Sequence, residues 1–252
     1  DYSVKDLRRD ITCCPFQWTK GVQTLQSFKS WSFGKLRYEW TNRMIPTGND
    51  DGINRQYMRY ADIVLMRAEL ENELNGASAA VPYLTKIRNR AFATSDRATE
   101  VTAYVAEAAL SKEKMFQAIV DERAYEFAGE LIRKADLIRW GMLKSKMDET
   151  KNKMKAIVSL TDYDSKHPYS QLSGHAYYKM SAYTWTRNGI ETTEKDAKLN
   201  LYGLNYGEMD INPEGYTEFS DSKGEASTWI KDNALEDVCL LYTSDAADDL
   251  LC

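Results

Sequence analysis

Between Tyr60 and Leu70 the apolar residues recur with a helical period: Tyr60, Ile63, Val64, Met66, Ala68 and Leu70 fall on one broad face, with Glu69, Glu71 and Asn72 opposite. Asn75-Gly76 supplies a C-terminal stop, so the spacing predicts a helix from about Arg59 to Asn75. A second helix is predicted from about Ser78, with Leu84, Ile87 and Ala91 on one side and Lys86, Arg88 and Arg90 on the other. Pro82 fits only in or just after its first turn, because proline cannot donate to the preceding carbonyl. The pair reads as a helical hairpin. After a Thr/Ala/Ser-rich stretch, Ser111 is placed to cap a long third helix, with Glu113 in its favoured first turn and Met115, Phe116, Ile119, Val120 and Phe127 as its buried stripe. Gly129 interrupts the pattern, and a fourth helical segment runs from about Leu131 to Trp140-Gly141. Residues 1–56 and 146–237 lack a sustained period and read as loops with short strands or turns. The later stretch is dense in tyrosine, from Tyr163 to Tyr216.

The predicted fold is therefore mostly α: helical hairpins over about 57–145, flanked by loop-rich regions. The first hairpin partly matches a tetratricopeptide unit, with small residues at Ala68 and Ala80 where the helices would cross and Leu84 at the larger packing position. Composition narrows the function classes. The chain has 252 residues, 43% hydrophobic and 28% charged, which is ordinary globular usage and excludes wholesale disorder. The net charge of −5 offers no footprint for a nucleic acid. Aromatics reach 12% in a chain whose mean hydropathy is −0.57, so some rings are expected to face water.

Cys13, Cys14, Cys239 and Cys252 show no metal spacing, and the adjacent pair is a poor start for a disulfide framework. No stretch is long and apolar enough to span a bilayer. His167 and His175 read as ordinary loop residues, and the chain carries no nucleophile motif, phosphate loop or HExxH. No cofactor and no metal are expected. The sequence opens at Asp1 without a signal segment, and its true start is expected to be missing or removed.

Charge pairs concentrate on the third and fourth helices. Glu122, Arg123 and Glu126, then Arg133, Asp136 and Arg139, recur three and four positions apart and can face one another across the bend at Gly129. Two carboxyl groups also suggest glycoside hydrolysis, which requires one of them to have a raised pKa. Arginine neighbours act in the opposite direction, which favours a structural ion-pair network over catalysis.

These same blocks resemble the SusD/RagB family of outer-membrane nutrient-binding lipoproteins. The resemblance rests on Arg59-Tyr60-Ala61-Asp62-Ile63-Val64-Leu65-Met66-Arg67-Ala68-Glu69, on Ile87-Arg88-Asn89-Arg90-Ala91, on the run from Ile119 to Glu130, and on Asp136-Leu137-Ile138-Arg139-Trp140-Gly141; Asp6-Leu7-Arg8-Arg9-Asp10 resembles an upstream family block. It implies a superhelix of tetratricopeptide-like helix pairs with a loop-rich glycan-binding face. It also implies a non-enzymatic surface lipoprotein of a Bacteroidetes-type bacterium, capping a SusC-like TonB-dependent transporter. Residues 1–237 would be the C-terminal part of such a protein, attached to the membrane only through a lipid on a preceding part. Residues 238–252 resemble translated adapter sequence and are expected to be non-native.

A glycan site needs flat exposed rings beside hydrogen-bonding side chains. Trp18, Trp31, Tyr38 and Trp40, close in sequence to Arg37, Asn42 and Arg43, are the candidates for ligand contact, whereas Trp140 in the family block is expected in the core. Two other readings compete with glycan capture. One is a cytosolic tetratricopeptide-type scaffold that binds peptides; the other is an α-helical glycosidase using Glu122 and Glu126.

Overall fold

The computed structural model describes residues 2–19, 22–26, 31–37, 40, 56–183, 186–187, 190–191, 196–208 and 212–219. The chain divides into two compact units, one built from Asp1–Thr12 and Ile45–Arg133, the other from Cys13–Met44 and Lys134–Leu250. The stretch 238–252 lies outside the described residues.

The first unit is helical. A short α1 (Leu7–Thr12) precedes the hairpin of α2 (Tyr60–Asn75) and α3 (Ala77–Ala91), followed by α4 (Tyr104–Ala108) and α5 (Lys112–Phe127). Gly76 alone joins α2 to α3 with φ 88°, a left-handed conformation that glycine adopts without steric cost. The small residues sit where the helices cross: Ala68, Ala80 and Leu84 are fully buried, and Ala61 nearly so. The buried face of α2 is rotated from the expected one. Ala61, Val64, Leu65, Ala68 and Asn72 point inward, while Tyr60, Ile63 and Leu70 are exposed. Close approach to α3 and α5 selects the small side chains, so the larger ones turn outward. Asn72, expected on the polar face, is instead buried and donates from Nδ2 to the Lys112 carbonyl at 2.9 Å.

Pro82 is the sixth residue of α3, in its second turn, so the Ser78 carbonyl lacks its usual helix donor. Ser111 accepts from the Lys114 amide at 3.1 Å and caps α5 as its spacing predicts. Phe116 is half-buried rather than part of the core stripe, while Met115, Ile119 and Phe127 are buried. The Thr/Ala/Ser-rich stretch is ordered as a short 3₁₀ turn at Thr94–Asp96 and a π-helical turn at Ala98–Ala103, which buries Val101 before α4 begins. Gly129 and Leu131, both at positive φ, break the chain between α5 and the next helix.

The second unit mixes helices with small sheets. α6 (Arg133–Arg139) leads into α7 (Leu143–Val158), so helix continues past the expected limit near residue 145. Lys146–Glu149 and Lys153–Glu149 pairs lie along α7, whose charge alternation obscures its apolar period. Trp140 is half-buried, with the Arg139 guanidinium 4.4 Å from its ring centroid, rather than enclosed in a core. The strands are β1 (Cys13–Cys14), β2 (Phe16–Thr19), β3 (Val22–Leu25), β4 (Ser32–Phe33), β5 (Tyr177–Tyr183), β6 (Thr186–Arg187), β7 (Ile190–Glu191), β8 (Asp196–Tyr202) and β9 (Thr217–Glu218).

β1 pairs with β4, and β2 with β3, in register from Phe16↔Leu25 to Thr19↔Val22. β5 lies between β8 and β9, antiparallel to both, and its pairing with β8 runs unbroken from Tyr177↔Tyr202 to Tyr183↔Asp196. The tyrosine-rich region thus contains two seven-residue strands, longer than a loop reading expects. β6 pairs antiparallel with β7 as a separate two-stranded sheet, Thr186↔Glu191 and Arg187↔Ile190. The β2–β3 hairpin meets the β8–β5–β9 sheet through Gln23, whose Oε1 accepts from the Leu199 amide at 3.2 Å.

Candidate functional site

Two constellations stand out, each within one unit. The first is a cluster of four arginines and four carboxylates in the helical unit. Arg8 binds Asp6 through Nε and Nη2 at 3.0 and 2.7 Å, and its Nη1 donates to Glu122 at 2.7 Å and Glu126 at 3.0 Å. Arg88 Nη1 holds the other Glu122 oxygen at 2.7 Å. Arg59 and Arg90 donate to Glu126 Oε1, and Arg59 also forks onto Glu130 at 2.7 and 2.8 Å. The formal charges of Asp6, Glu122, Glu126 and Glu130 cancel those of Arg8, Arg59, Arg88 and Arg90.

Aromatic faces complete the enclosure. The Arg88 guanidinium lies 3.7 Å from the Tyr104 centroid, and Arg59 and Arg123 lie 4.9 and 5.0 Å from that of Phe127. Arg123 itself pairs with Asp62 at 2.7 Å. Burial alone would raise the Glu126 carboxyl, but Arg8, Arg90 and Arg59 outweigh it and hold the group below its ordinary value. Burial likewise opposes the Arg8 charge, yet Glu122, Asp6 and Glu126 push its pKa up.

The network therefore has wider membership than the sequence expectation. Glu122, Arg123 and Glu126 are all buried and all in ion pairs, but their partners come from residues 6–8, 59–62 and 88–90. Arg133 donates to the Val120 carbonyl at 2.8 Å, and Asp136 accepts from Arg139 at 2.9 Å one turn away. Arg8, Arg59, Arg88 and Arg90 were legible only as members of the blocks quoted above, because their partners are distant in sequence. Chemically, each Glu122 oxygen faces a guanidinium and the residue has no exposed surface. A general acid needs a raised pKa and access to a substrate. The lowered Glu126 and the sealed Glu122 instead form an electrostatic lock across four chain segments.

The second constellation is an aromatic surface in the other unit. β2 presents Phe16 and Trp18 on one side of the strand, two residues apart, with ring centroids 6.2 Å apart in an edge-to-face contact. Arg37 Nε donates to the Gly34 carbonyl at 3.0 Å, which fixes the guanidinium 5.3 Å from the Phe16 centroid and 5.5 Å from that of Trp40. Trp40 is 54% exposed, and Trp18 is half-buried. Trp31 is half-buried beside β4. Tyr38, Asn42 and Arg43 lie outside the described residues.

A further run of rings, Tyr163, His167, Tyr169 and Tyr206, packs at centroid separations of 5.8 to 6.4 Å. Burial lowers the His167 pKa although Asp164 accepts from its Nδ1 at 2.7 Å. Tyr169 is buried at its centre, so this run fills the loop interior. Among the described residues, no group of three or more His, Cys, Asp or Glu side chains is placed to hold a metal ion, and no helix is long and apolar enough to cross a membrane.

The family model described as the SusD family matches residues 22–226, most of the chain. The protein belongs to the SusD family. A SusD-like protein, P25, from Formosa agariphila is 48% identical over 90 residues. That alignment covers 36% of this chain and 16% of the relative, so the matched part is a small share of the relative's length. No solved structure matches the chain. SusD-family membership agrees with the mostly helical architecture, and the match includes both the helical hairpin and the segment bearing Phe33, Arg37 and Trp40.

Proposed function

We propose that this protein binds oligosaccharides without transforming them and delivers them to a SusC-like TonB-dependent transporter. It would act at the cell surface, attached to the outer membrane through a lipid outside these residues. Family membership supports a nutrient-binding role, and the observation that carries the reading is the Phe16–Trp18–Arg37–Trp40 surface. Exposed flat rings stack on the C–H faces of sugars, and the guanidinium beside them offers donors to hydroxyls. Trp18 and Trp40 are the proposed stacking residues; Trp31 and Tyr38 are proposed to extend the same surface.

The lock at Glu122 and Glu126 supports the non-catalytic part, since neither carboxylate is arranged as an acid or a nucleophile. Native affinity electrophoresis against polysaccharides of plant, algal and host origin tests the reading. One or more glycans should retard the protein, and Trp40→Ala should weaken that retardation by about tenfold, the loss of one ring contact worth roughly 1–1.5 kcal/mol. Failure of every glycan to retard the wild type removes the binding role. Release of reducing ends from a retained glycan, lost in Glu122→Gln without loss of stability, would restore the glycosidase.

A further inference from the structure

The outward face of α2 is apolar as well as the inward one. Tyr60, Ile63, Arg67, Leu70 and Leu74 recur at alternating steps of three and four residues, which makes one stripe about 21 Å long at the helical rise. It lies opposite Ala61, Leu65, Ala68 and Asn72, which face the core of the helical unit. Its four uncharged members are 45% to 76% exposed, and Tyr57 and Met58, just before the helix, are exposed too. Scattered exposed apolar residues are ordinary, but an edge helix normally carries charge on its outer side, so a contiguous stripe marks a contact surface. The one charged member is neutralised in place. Arg67 is ion-paired with Glu71 one turn on, and its guanidinium lies 6.0 Å from the Tyr83 centroid, so its stem continues the apolar row.

Spacing and charge together say what fits this face. An antiparallel copy of the same stripe meshes with it about a two-fold axis between Ala68 and Glu69. That axis sets Ile63 against the partner's Leu74, the Arg67 stem against the partner's Leu70, and the Tyr60 ring against the small side chain of the partner's Ala77. Arg67 and Glu71 straddle the same axis, so each Arg67 meets the partner's Glu71, and the two intrahelical pairs close into one alternating ring of four charges. A parallel pairing would instead put Arg67 beside the partner's Arg67. From this self-complementarity we infer that the α2 stripe is an interface between two copies of this chain, joined as an antiparallel helix pair. Such a contact is isologous and closes at two subunits. One helix face is smaller than a standard protein interface, so the dimer is weak, with a dissociation constant on the order of 10 μM. A repeating polysaccharide long enough to reach both subunits would be held more tightly than by one.

The test is sedimentation equilibrium of the purified chain from about 1 to 200 μM, a range that brackets the expected constant. A reversible monomer–dimer equilibrium is expected. Ile63→Glu, at an exposed position, should weaken it about 10- to 100-fold, since two apolar contacts are lost per dimer. Arg67→Glu should weaken it about tenfold by setting like charges across the axis, and adding Glu71→Arg to that variant should restore it, because the exchanged pair is again self-complementary. Circular dichroism checks that each variant is folded; should the Arg67 variants fail to fold, the wild type and Ile63→Glu decide. A strict monomer at 200 μM overturns the inference. A dimer indifferent to Ile63→Glu, or one that folded Arg67→Glu leaves unweakened, places the contact or its register elsewhere and overturns it as well. If a longer product of the same gene is strictly monomeric, a helix of its own chain takes the stripe and the inference falls. None of these outcomes bears on glycan binding by the other unit.

Discussion

Removing the charge of Glu122 is the sharpest perturbation the helical unit offers. Glu122 is fully buried, and each of its oxygens accepts from an arginine at 2.7 Å, Arg8 on one side and Arg88 on the other. Glu122→Gln keeps the shape and one carbonyl acceptor but turns an amide donor toward the second guanidinium. It also leaves one uncompensated positive charge in a cluster that was neutral. Arg88 cannot retreat to solvent, because its side chain is 6% exposed, pinned against Tyr104 and bonded to the Glu100 carbonyl through Nε and Nη2.

Breaking one partner of a buried ion pair costs about 3–5 kcal/mol, a large share of the roughly 5–15 kcal/mol that typically separates folded from unfolded states. Urea unfolding at neutral pH, followed by far-ultraviolet circular dichroism to report on the helices, should therefore show a loss in this range. Arg88→Met combined with Glu122→Gln restores the charge balance, and a double-mutant cycle should return a coupling of about 1–3 kcal/mol. A loss below about 1 kcal/mol for Glu122→Gln, or additive effects in the cycle, would show that the cluster is solvated in solution and the lock is wrong.

Acid should loosen the same cluster. The folded Glu126 pKa lies below its ordinary 4.5, so the group's contribution to stability is complete above about pH 4.5 and is lost as the pH falls through the lowered folded value. Urea midpoints at pH 7, 5, 4 and 3 should fall over that acid window, and Glu126→Gln should flatten this part of the profile; an identical slope in the variant would refute the assignment. In the other unit, Gly203 has φ 91° and a Cβ there would sit 2.4 Å from the His175 carbonyl oxygen. Gly203→Ala should cost about 1–3 kcal/mol and lower the melting temperature by several degrees, whereas an unchanged melting curve would mean the turn after β8 relaxes freely.

Much of the helical unit was readable before any coordinates. The stop at Asn75-Gly76, the cap at Ser111 and the small residues Ala68 and Ala80 depend on interactions within one or two helical turns, or on one adjacent helix. The same local view misjudged which face of α2 is buried. Ile63 and Leu70 are more hydrophobic than Ala61 and Ala68, but tight helix packing rewards small volume over transfer free energy. The tyrosine-rich hairpin was underestimated for a different reason. Its strands carry Tyr177, Tyr178, Lys179, Met180, Ser181 and Ala182 with no clean alternation, so the period was weak; Asn188-Gly189 between β6 and β7 was the available signal for a turn.

The candidate sites divide in the same way. The sequence by itself determined that Glu122, Glu126 and Arg123 lie on one helix, and that tryptophans gather between Trp18 and Trp40, since both facts are matters of spacing. Only the tertiary structure decided that Arg8 and Arg88 meet at Glu122, from sequence separations of 114 and 34, and that the Arg37 guanidinium lies within cation–π reach of both Phe16 and Trp40. Spacing along a chain constrains neighbours within a few residues. Which guanidinium reaches which carboxylate depends on how whole helices dock, and that is set by close packing over the entire unit rather than by the charged residues themselves.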